Sequence, residues 1–370
     1  MKITILTSDF SGNCLGRAYL LANLLKERHS VSIVGPMFGA DIWQPLQQTR
    51  SVEFHPIRVK PTVSVFLRNI TKIVDQCRSD VLYACKPLIA SFGIGLLAKA
   101  KYSVPLILDI DDWELSPFLL EDRIHRYISG ILHINQPVSY LVNLLFDKFV
   151  KAADMITVSS KTLRAMYGGT VIPHVREIVH TKPITKKNKV VILFLGTPRP
   201  HKGIDDLIKA FKMVEEPKAI LKIIGMDYQD QENYQIIAAA KTDSRIVLSG
   251  MIPFDELTDH IARAEIIVIP QKDTVVGRTQ VPAKIFDAMA QGKSIISTRI
   301  SDIPEILGNT GIVVEPNDIT GLRNAIVYLL ESPKKRKELG RKAQKRIDTH
   351  YNFRRTGEKL SNLITCCLDV

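Results

Sequence analysis

The residues with the clearest potential for chemistry lie in one loop, Gly196-Thr-Pro-Arg199-Pro-His-Lys202-Gly203. This loop follows the apolar run Val190 to Leu195 and precedes the amphipathic run Ile204 to Val214, which predicts a strand, a turn and a helix. Arg199 and Lys202 would then lie beside the free N–H groups of a helix N-terminus, where anions bind. The loop is therefore interpreted as a diphosphate site.

A second polar cluster opens a helix that is predicted to begin near Pro282. Lys284 and Asp287 are three residues apart, so they share one face of that helix. A carboxylate in this position can accept two hydrogen bonds from a ribose diol, while an ammonium near the N-terminus can meet phosphate. The pair predicts contacts with a nucleotide.

Acidic residues end a predicted strand in the first half of the chain, in Asp109-Ile-Asp111-Asp112. Asp-x-Asp can hold a divalent ion, but Lys202 and Arg199 supply charge that can neutralise a diphosphate, so we expect no bound metal. Asp112 is open to a second interpretation as the cap of the following turn. Lys86, after the strand Val81 to Ala84, is a further candidate for the site, with an ordinary surface lysine as the alternative.

Gly12 and Gly16 lie in a small-residue loop after the first strand. Their spacing is not Gly-x-Gly-x-x-Gly, and no acidic residue ends the second strand, Val31 to Gly35, so a nicotinamide site is disfavoured. The loop permits close approach of the backbone to a ligand, or it is a simple turn.

Strand-like and helix-like runs alternate along nearly the whole chain and predict an α/β protein with parallel sheets. We expect two Rossmann-like, doubly wound domains that face each other across a cleft, since ligands bind at the carboxyl ends of such strands. The predicted divisions are a first domain at residues 1–180, a linker at 181–189, a second domain at 190–352, and a terminal helix at 353–370 that packs back towards the first domain.

Taken together, these motifs resemble family 4 glycosyltransferases, which are retaining enzymes of the GT-B fold. The resemblance rests on the N-terminal strand and glycine loop, the Lys202 loop, the segment that ends in Ala288-Met-Ala290, and Asp302-Ile-Pro-Glu-Ile306. It implies that Lys202 contacts the donor diphosphate, that Asp287 binds the ribose, and that Gly12 lies near the phosphate or sugar of the donor. It also implies that the domain at residues 1–180 binds the acceptor and that the domain at 190–352 binds the nucleotide sugar.

Two positions depart from the family pattern. Thr197 occupies the position of the family's partner arginine, and Arg199, two residues later, is expected to supply that charge. Thr279 stands where the family has the first of two glutamates, and it is kept as a donor-binding candidate. The resemblance also places Asp111 or Asp112 where many relatives contact the sugar, so Asp111 joins Lys202 and Arg199 as a catalytic candidate.

The net charge of the chain limits the classes of partner that it is expected to bind. The chain has 370 residues and a net charge of +12, part of it in the run Pro333-Lys-Lys-Arg-Lys337. Such a run is usually a solvated face, but it also suits anionic lipid headgroups; no nucleic-acid motif accompanies it.

Five cysteines without a disulfide or metal spacing favour the cytoplasm. The uncharged segment Tyr127 to Phe146 is too interrupted to span a bilayer, and two helices meeting near Pro137 are expected.

The sequence thus predicts a retaining glycosyltransferase that moves a sugar from a nucleoside diphosphate sugar to a hydroxyl of a glycan or lipid-linked acceptor. We expect no cofactor, and a cytoplasmic location that extends to the inner face of the membrane. The alternatives are a non-catalytic nucleotide-sugar or membrane-binding protein of the same fold and a nucleotide-sugar epimerase.

Overall fold

The computed structural model describes residues 1–119, 136–178 and 189–367. These residues divide into two compact units, and each is described by itself. Unit 1 is Met1–Pro173 with Phe353–Val370, and unit 2 is His174–Asn352. Most of the predicted linker, and the first nine residues of the predicted segment 127–146, lie outside the described residues.

Unit 1 is built on one parallel sheet. Its strands are β1 (Lys2–Leu6), β2 (Ser30–Met37), β3 (Glu53–Arg58), β4 (Val81–Cys85), β5 (Leu106–Ile110), β6 (Met155–Val158) and β7 (Thr170–Val171). They lie in the order β3-β2-β1-β4-β5-β6-β7. The central strands are apolar and buried on both faces, as expected when helices cover both sides of a sheet.

Helices alternate with most of the strands of unit 1, in line with the predicted α/β pattern. The helices are α1 (Leu15–Leu25), α2 (Val63–Asp75), α3 (Ile94–Tyr102), α4 (Tyr140–Lys148) and α5 (Lys161–Tyr167). Ser160 caps α5 by accepting a hydrogen bond from the backbone N–H of Leu163. Crossing a membrane takes about 20 mostly apolar residues, and no helix in the described ranges meets that requirement.

Unit 2 is built on a second parallel sheet with helices between its strands. The strands are β8 (Val190–Leu195), β9 (Ala219–Met226), β10 (Ile246–Gly250), β11 (Ile266–Ile269), β12 (Ser294–Thr298) and β13 (Ile312–Val314). They lie in the order β10-β9-β8-β11-β12-β13. The helices are α6 (Ile204–Lys212), α7 (Tyr234–Lys241), α8 (Phe254–Ala262), α9 (Val275–Thr279), α10 (Lys284–Ala290), α11 (Ile303–Leu307), α12 (Ile319–Glu331) and α13 (Pro333–His350).

Two apolar clusters cover the two faces of the unit 2 sheet. One face packs on α6, through Leu207 and Phe211, and the other on α10, through Ile285 and Met289. Alternate residues of β8 belong to the two clusters, because successive side chains of a strand point to opposite faces. The ends of α6 and α10 are therefore fixed relative to the end of β8.

A last helix, α14 (Phe353–Cys366), belongs to unit 1 and packs on α1. Gly357 meets the backbone of α1 so closely that a Cβ there would overlap the carbonyl oxygen of Leu24. Arg28 and Glu358 add an ion pair of 2.8 Å, and Lys359 donates to the carbonyl oxygen of Val171. The end of the chain thus completes the unit that its beginning forms.

Candidate active site

The loop after β8 has the strand, turn and helix that the sequence predicts. Gly196 and Gly203 both have positive φ, +137° and +64°, in the region that favours glycine. A Cβ on Gly203 would also overlap the carbonyl oxygen of Pro270. The two glycines therefore fix the course of the loop and the point at which α6 begins.

Lys202 ends a short 3₁₀ turn, Pro200–Lys202, inside this loop. Its Nζ donates a hydrogen bond of 2.8 Å to the carbonyl oxygen of Thr197, and it lies 3.6 Å from where a Cβ of Gly196 would be. The ammonium is half-buried and is held above the first residues of the loop. A cation fixed at the end of a strand is suited to an anionic ligand.

Arg199 has a carboxylate partner from the same unit. Its Nη1 lies 3.0 Å from an oxygen of Asp230, while 44% of the Arg199 side chain remains exposed. Asp230 follows β9, the neighbour of β8 in the sheet. The charge that the sequence assigns to the diphosphate is therefore already paired with a protein carboxylate.

The N-terminus of α6 differs from the simple anion site predicted by the sequence. Asp205 and Asp206 occupy its first turn, so two carboxylates already meet the positive end of the helix dipole. Lys272 Nζ lies 2.6 Å from Asp205 and 3.5 Å from Asp206. Burial raises the pKa of Asp206, as does its neighbour Asp205, and Lys272 opposes the shift. The positive charge near the loop is supplied by side chains rather than by this helix end.

The segment between β11 and α10 contains the short helix α9. Thr274 caps it by accepting a hydrogen bond of 3.0 Å from the N–H of Gly277. Thr279 is buried and its hydroxyl donates to the carbonyl oxygen of Val275 at 2.9 Å. Gln280 reaches back to the Lys202 loop, where its Oε1 lies 3.2 Å from His201 Nε2. Thr279 thus stabilises α9, and Gln280 ties this segment to the loop.

Lys284 and Asp287 lie together on α10, as their spacing predicts, with Nζ 3.4 Å from Oδ2. The Asp287 side chain is only 6% exposed. Its other oxygen, Oδ1, accepts a hydrogen bond of 2.5 Å from Arg176 Nε. Burial alone would raise the pKa of Asp287, but Arg176 and Lys284 hold it below its ordinary value. The carboxylate is therefore kept charged between two cations.

Two cations of unit 1, Arg17 and Lys86, pair with the carboxylates of the acidic motif at residues 109–112. Arg17, on α1, donates to both oxygens of Asp109, at 2.8 and 2.9 Å, and to the carbonyl oxygen of Ile172 at 2.7 Å. Thr157 donates to the same carboxylate at 2.7 Å. Because Arg17 and Asp109 are both buried, this ion pair joins α1 to the middle of the sheet.

Lys86 is the second cation, and it is buried where β4 ends. Its φ of +74° is unusual for a residue with a side chain. Nζ lies 3.4 Å from Asp111, 3.0 Å from Asp112, and in contact with Glu114. Burial raises the pKa of Asp111 to about 7 against the effect of Lys86, with Asp112 and Asp109 adding to the shift. These carboxylates surround a lysine of the chain itself.

The fold of the protein does not require a glycine at position 12. Its φ is not positive, and a Cβ would meet Asp9 Oδ2 and Cys14 Sγ at the ordinary contact distances of 3.4 and 3.5 Å. Asp9 fixes the loop by accepting from the N–H groups of Ser11 and Phe38, at 2.9 and 3.1 Å. A requirement for glycine at position 12 would have to come from a ligand.

The principal residue that sequence analysis missed is Arg176. It lies in the segment before the predicted linker, in a stretch without periodicity, 111 residues from its partner Asp287. No local signal connects the two. The only general signal is the charge of Asp287, because a buried carboxylate needs a cationic partner.

Comparison with known proteins gives a consistent result. Residues 189–332 match the family model described as glycosyl transferases group 1. An uncharacterised glycosyltransferase of Methanocaldococcus jannaschii is 26% identical over 207 residues, which are 54% of this chain and 51% of that protein. The chain thus spans about half the length of this curated relative.

Solved structures match over nearly the whole chain. The sucrose-phosphate synthase of Thermosynechococcus elongatus has a TM-score of 0.76 at 16% identity and covers 99% of this chain and 98% of its own. Anabaena HepE, solved in complex with UDP-glucose, has a TM-score of 0.74 at 16% identity, covering 99% and 100%. Residues 189–332 are therefore similar to the glycosyl transferases group 1, and the likeness to these solved structures over nearly the whole chain confirms the expected GT-B fold.

Proposed function

We propose that this protein is a glycosyltransferase that moves a sugar from a nucleoside diphosphate sugar to a hydroxyl of a glycan or lipid-linked acceptor. The observation that carries the proposal is the loop 196–203, which holds the Lys202 ammonium at the end of β8 inside the group 1 domain. HepE, bound to UDP-glucose, has the same fold and supports this donor class.

In the proposed reaction, Lys202 stabilises the diphosphate as it leaves with growing negative charge. A fixed cation in a site that excludes water is most effective on charge that develops in the transition state. Lys284 supplies a second positive charge on α10, and Arg199, whose guanidinium is partly exposed, meets the phosphate by exchanging Asp230 for it. Asp287 binds the ribose, and unit 1, with Gly12 and Asp111, contacts the sugar and the acceptor.

The transfer proceeds with retention of configuration. The bond from the anomeric carbon to the phosphate oxygen breaks, and the acceptor oxygen bonds to the same face of that carbon. The acceptor proton passes to the departing phosphate oxygen, so the step requires no side-chain base. The donor charge is met by lysine and arginine, and the proposal includes no metal or other cofactor.

The surface of α13 suits a membrane-associated acceptor. Its buried residues are Leu339, Gly340, Ala343 and Ile347, so the lysines and arginines of Pro333–His350 occupy the remaining faces. We propose a cytoplasmic protein that binds the inner face of the membrane through this charge. Sedimentation with anionic and neutral vesicles at low and high salt tests it; binding that needs anionic lipid and falls with salt is expected, and no binding at low salt contradicts it.

The decisive assay for the function offers UDP-, GDP- and ADP-sugars with and without glycan acceptors, and measures released nucleotide and the anomeric configuration of the product. Acceptor-dependent release with retention is expected. A sugar epimerised without acceptor would indicate the epimerase, and nucleotide-sugar binding without release would indicate a non-catalytic protein.

Lys202→Ala links the activity to the loop. It is expected to lower turnover by about 10²-fold or more, in line with loss of one group that stabilises the leaving charge. Lys209→Ala is the matched control, because this lysine lies on α6 with its side chain 60% exposed. Equal turnover of the two variants would contradict the assignment of Lys202.

A further inference from the structure

The two oxygens of the Asp287 carboxylate have different surroundings. Oδ1 is taken by Arg176 Nε at 2.5 Å. Oδ2 is buried and, within the described residues, no hydrogen bond reaches it; the ammonium of Lys284 lies 3.4 Å away. A buried carboxylate oxygen without a hydrogen bond is costly, which makes it a natural acceptor for a ligand hydroxyl.

Arg176 is itself held in place by the chain around it. Its Nη1 donates to the carbonyl oxygen of Val175 at 2.8 Å, and its backbone pairs in a parallel bridge with Asn352. The side chain is 20% exposed, so most of it is enclosed by protein. Arg176 therefore has a fixed position from which it sets the orientation of Asp287.

We propose that Arg176 is a positioning residue of the donor site, which orients Asp287 so that Oδ2 accepts a hydrogen bond from a ribose hydroxyl of the nucleoside diphosphate. This inference rests on the proposed function and adds a residue to it. Arg176 acts through Asp287: it occupies Oδ1 and leaves Oδ2 for the ligand. The burial of Asp287 makes this arrangement selective for a hydroxyl, because an analogue without one leaves the oxygen unpaired.

The experiment measures binding of two ligands by calorimetry, the nucleoside diphosphate that the wild type prefers and its 2′,3′-dideoxy analogue. For Arg176→Met we expect the dissociation constant of the ribose form to rise about tenfold, as for loss of one hydrogen bond to a charged group. The dideoxy form, which lacks the hydroxyls, should bind Arg176→Met and the wild type within about twofold of each other. In the kinetics, KM for the donor should rise while kcat changes little, as expected when ground-state binding is lost.

Two further variants cover a failure of Arg176→Met to fold. Asp287→Asn should show the same dependence on the ribose hydroxyls, and Arg176→Lys, which keeps the charge, should recover part of the loss. Arg299→Met is the control, since Arg299 and Glu315 form an exposed ion pair of 2.6 Å in the same unit.

The outcomes separate this inference from the function itself. Equal losses for the ribose and dideoxy ligands, or no loss for either, overturn the role of Arg176 while the wild type still binds and transfers. A wild type that binds no nucleoside diphosphate overturns the proposed function, and the role of Arg176 with it.

Discussion

Replacing Arg17 by leucine removes one partner of the buried ion pair that joins α1 to β5. The substitution deletes the two hydrogen bonds to Asp109 and the one to the carbonyl oxygen of Ile172. The carboxylate of Asp109, which is fully buried, then keeps, among the residues that the structure describes, only the hydrogen bond from Thr157 at 2.7 Å. An uncompensated charge then remains in the middle of the sheet.

The expected loss follows from that geometry. Breaking a buried ion pair by removing one partner costs about 3–5 kcal/mol, because the remaining charge has lost its counter-ion and cannot reach water. Arg28→Met is the matched control beside the same helix: Arg28 and Glu358 are 42% and 39% exposed, and an exposed pair contributes about 0–1 kcal/mol. The two variants should therefore differ by several kcal/mol in the free energy of unfolding.

The assay is urea unfolding followed by tryptophan fluorescence. The two tryptophans of the chain, Trp43 and Trp113, both lie in unit 1, so the signal reports on the unit that contains Arg17. The double variant Arg17→Leu/Asp109→Leu should be more stable than Arg17→Leu alone, because it removes the stranded charge. The reasoning is refuted if Arg17→Leu costs no more than Arg28→Met, or if the double variant loses the sum of the two single losses.

Three other predictions concern backbone, pH and thiols. Gly203→Ala should lose more free energy of unfolding than Gly168→Ala in urea titrations. Both glycines have positive φ, which costs a residue with a side chain about 1–2 kcal/mol. Only at position 203 would a Cβ also overlap the carbonyl oxygen of Pro270, because nothing lies within 4 Å of a Cβ at position 168. Equal losses would contradict it. Because burial raises the pKa of Asp111 from 3.8 to about 7, its folded form binds protons more tightly, so its contribution to stability should be full below about pH 4 and lost by about pH 7. Asp111→Asn should flatten that part of the pH profile, and an unchanged profile would count against the shift. Burial raises the pKa of Cys77 to about 12, so a thiol reagent at pH 8 should modify the exposed Cys366 first and reach Cys77 only after unfolding; mass spectrometry of the labelled peptides would show the reverse order if this is wrong.

The local patterns of the chain predict its fold well. The apolar run Val190 to Leu195 becomes β8 and the amphipathic run after Gly203 becomes α6, because hydrophobic periodicity alone distinguishes a buried strand from a half-buried helix. The strand β3 (Glu53–Arg58) was not predicted, since His55 and Pro56 interrupt its pattern. A proline is tolerated there because β3 is the edge of its sheet.

The contacts between side chains in the site are much harder to predict from the sequence than the helices and strands. Spacing along one helix predicts that Lys284 and Asp287 meet, and they do. Spacing says nothing of Arg176, which reaches Asp287 across 111 residues, or of Asp230, which pairs with Arg199 from the next strand. These contacts depend on the order of strands in a sheet, and that order is a property of the whole fold.

The return of α14 to α1 has a consequence for how the protein is made. Arg28 and Glu358 are 330 residues apart, and at about 5–20 residues per second the ribosome needs roughly 15–65 s to bridge them. Unit 2 is continuous in the chain, so it can be complete before α14 emerges. The unit whose residues are synthesised first is therefore finished last, and during that interval the surface of α1 around Leu24 is open to chaperones.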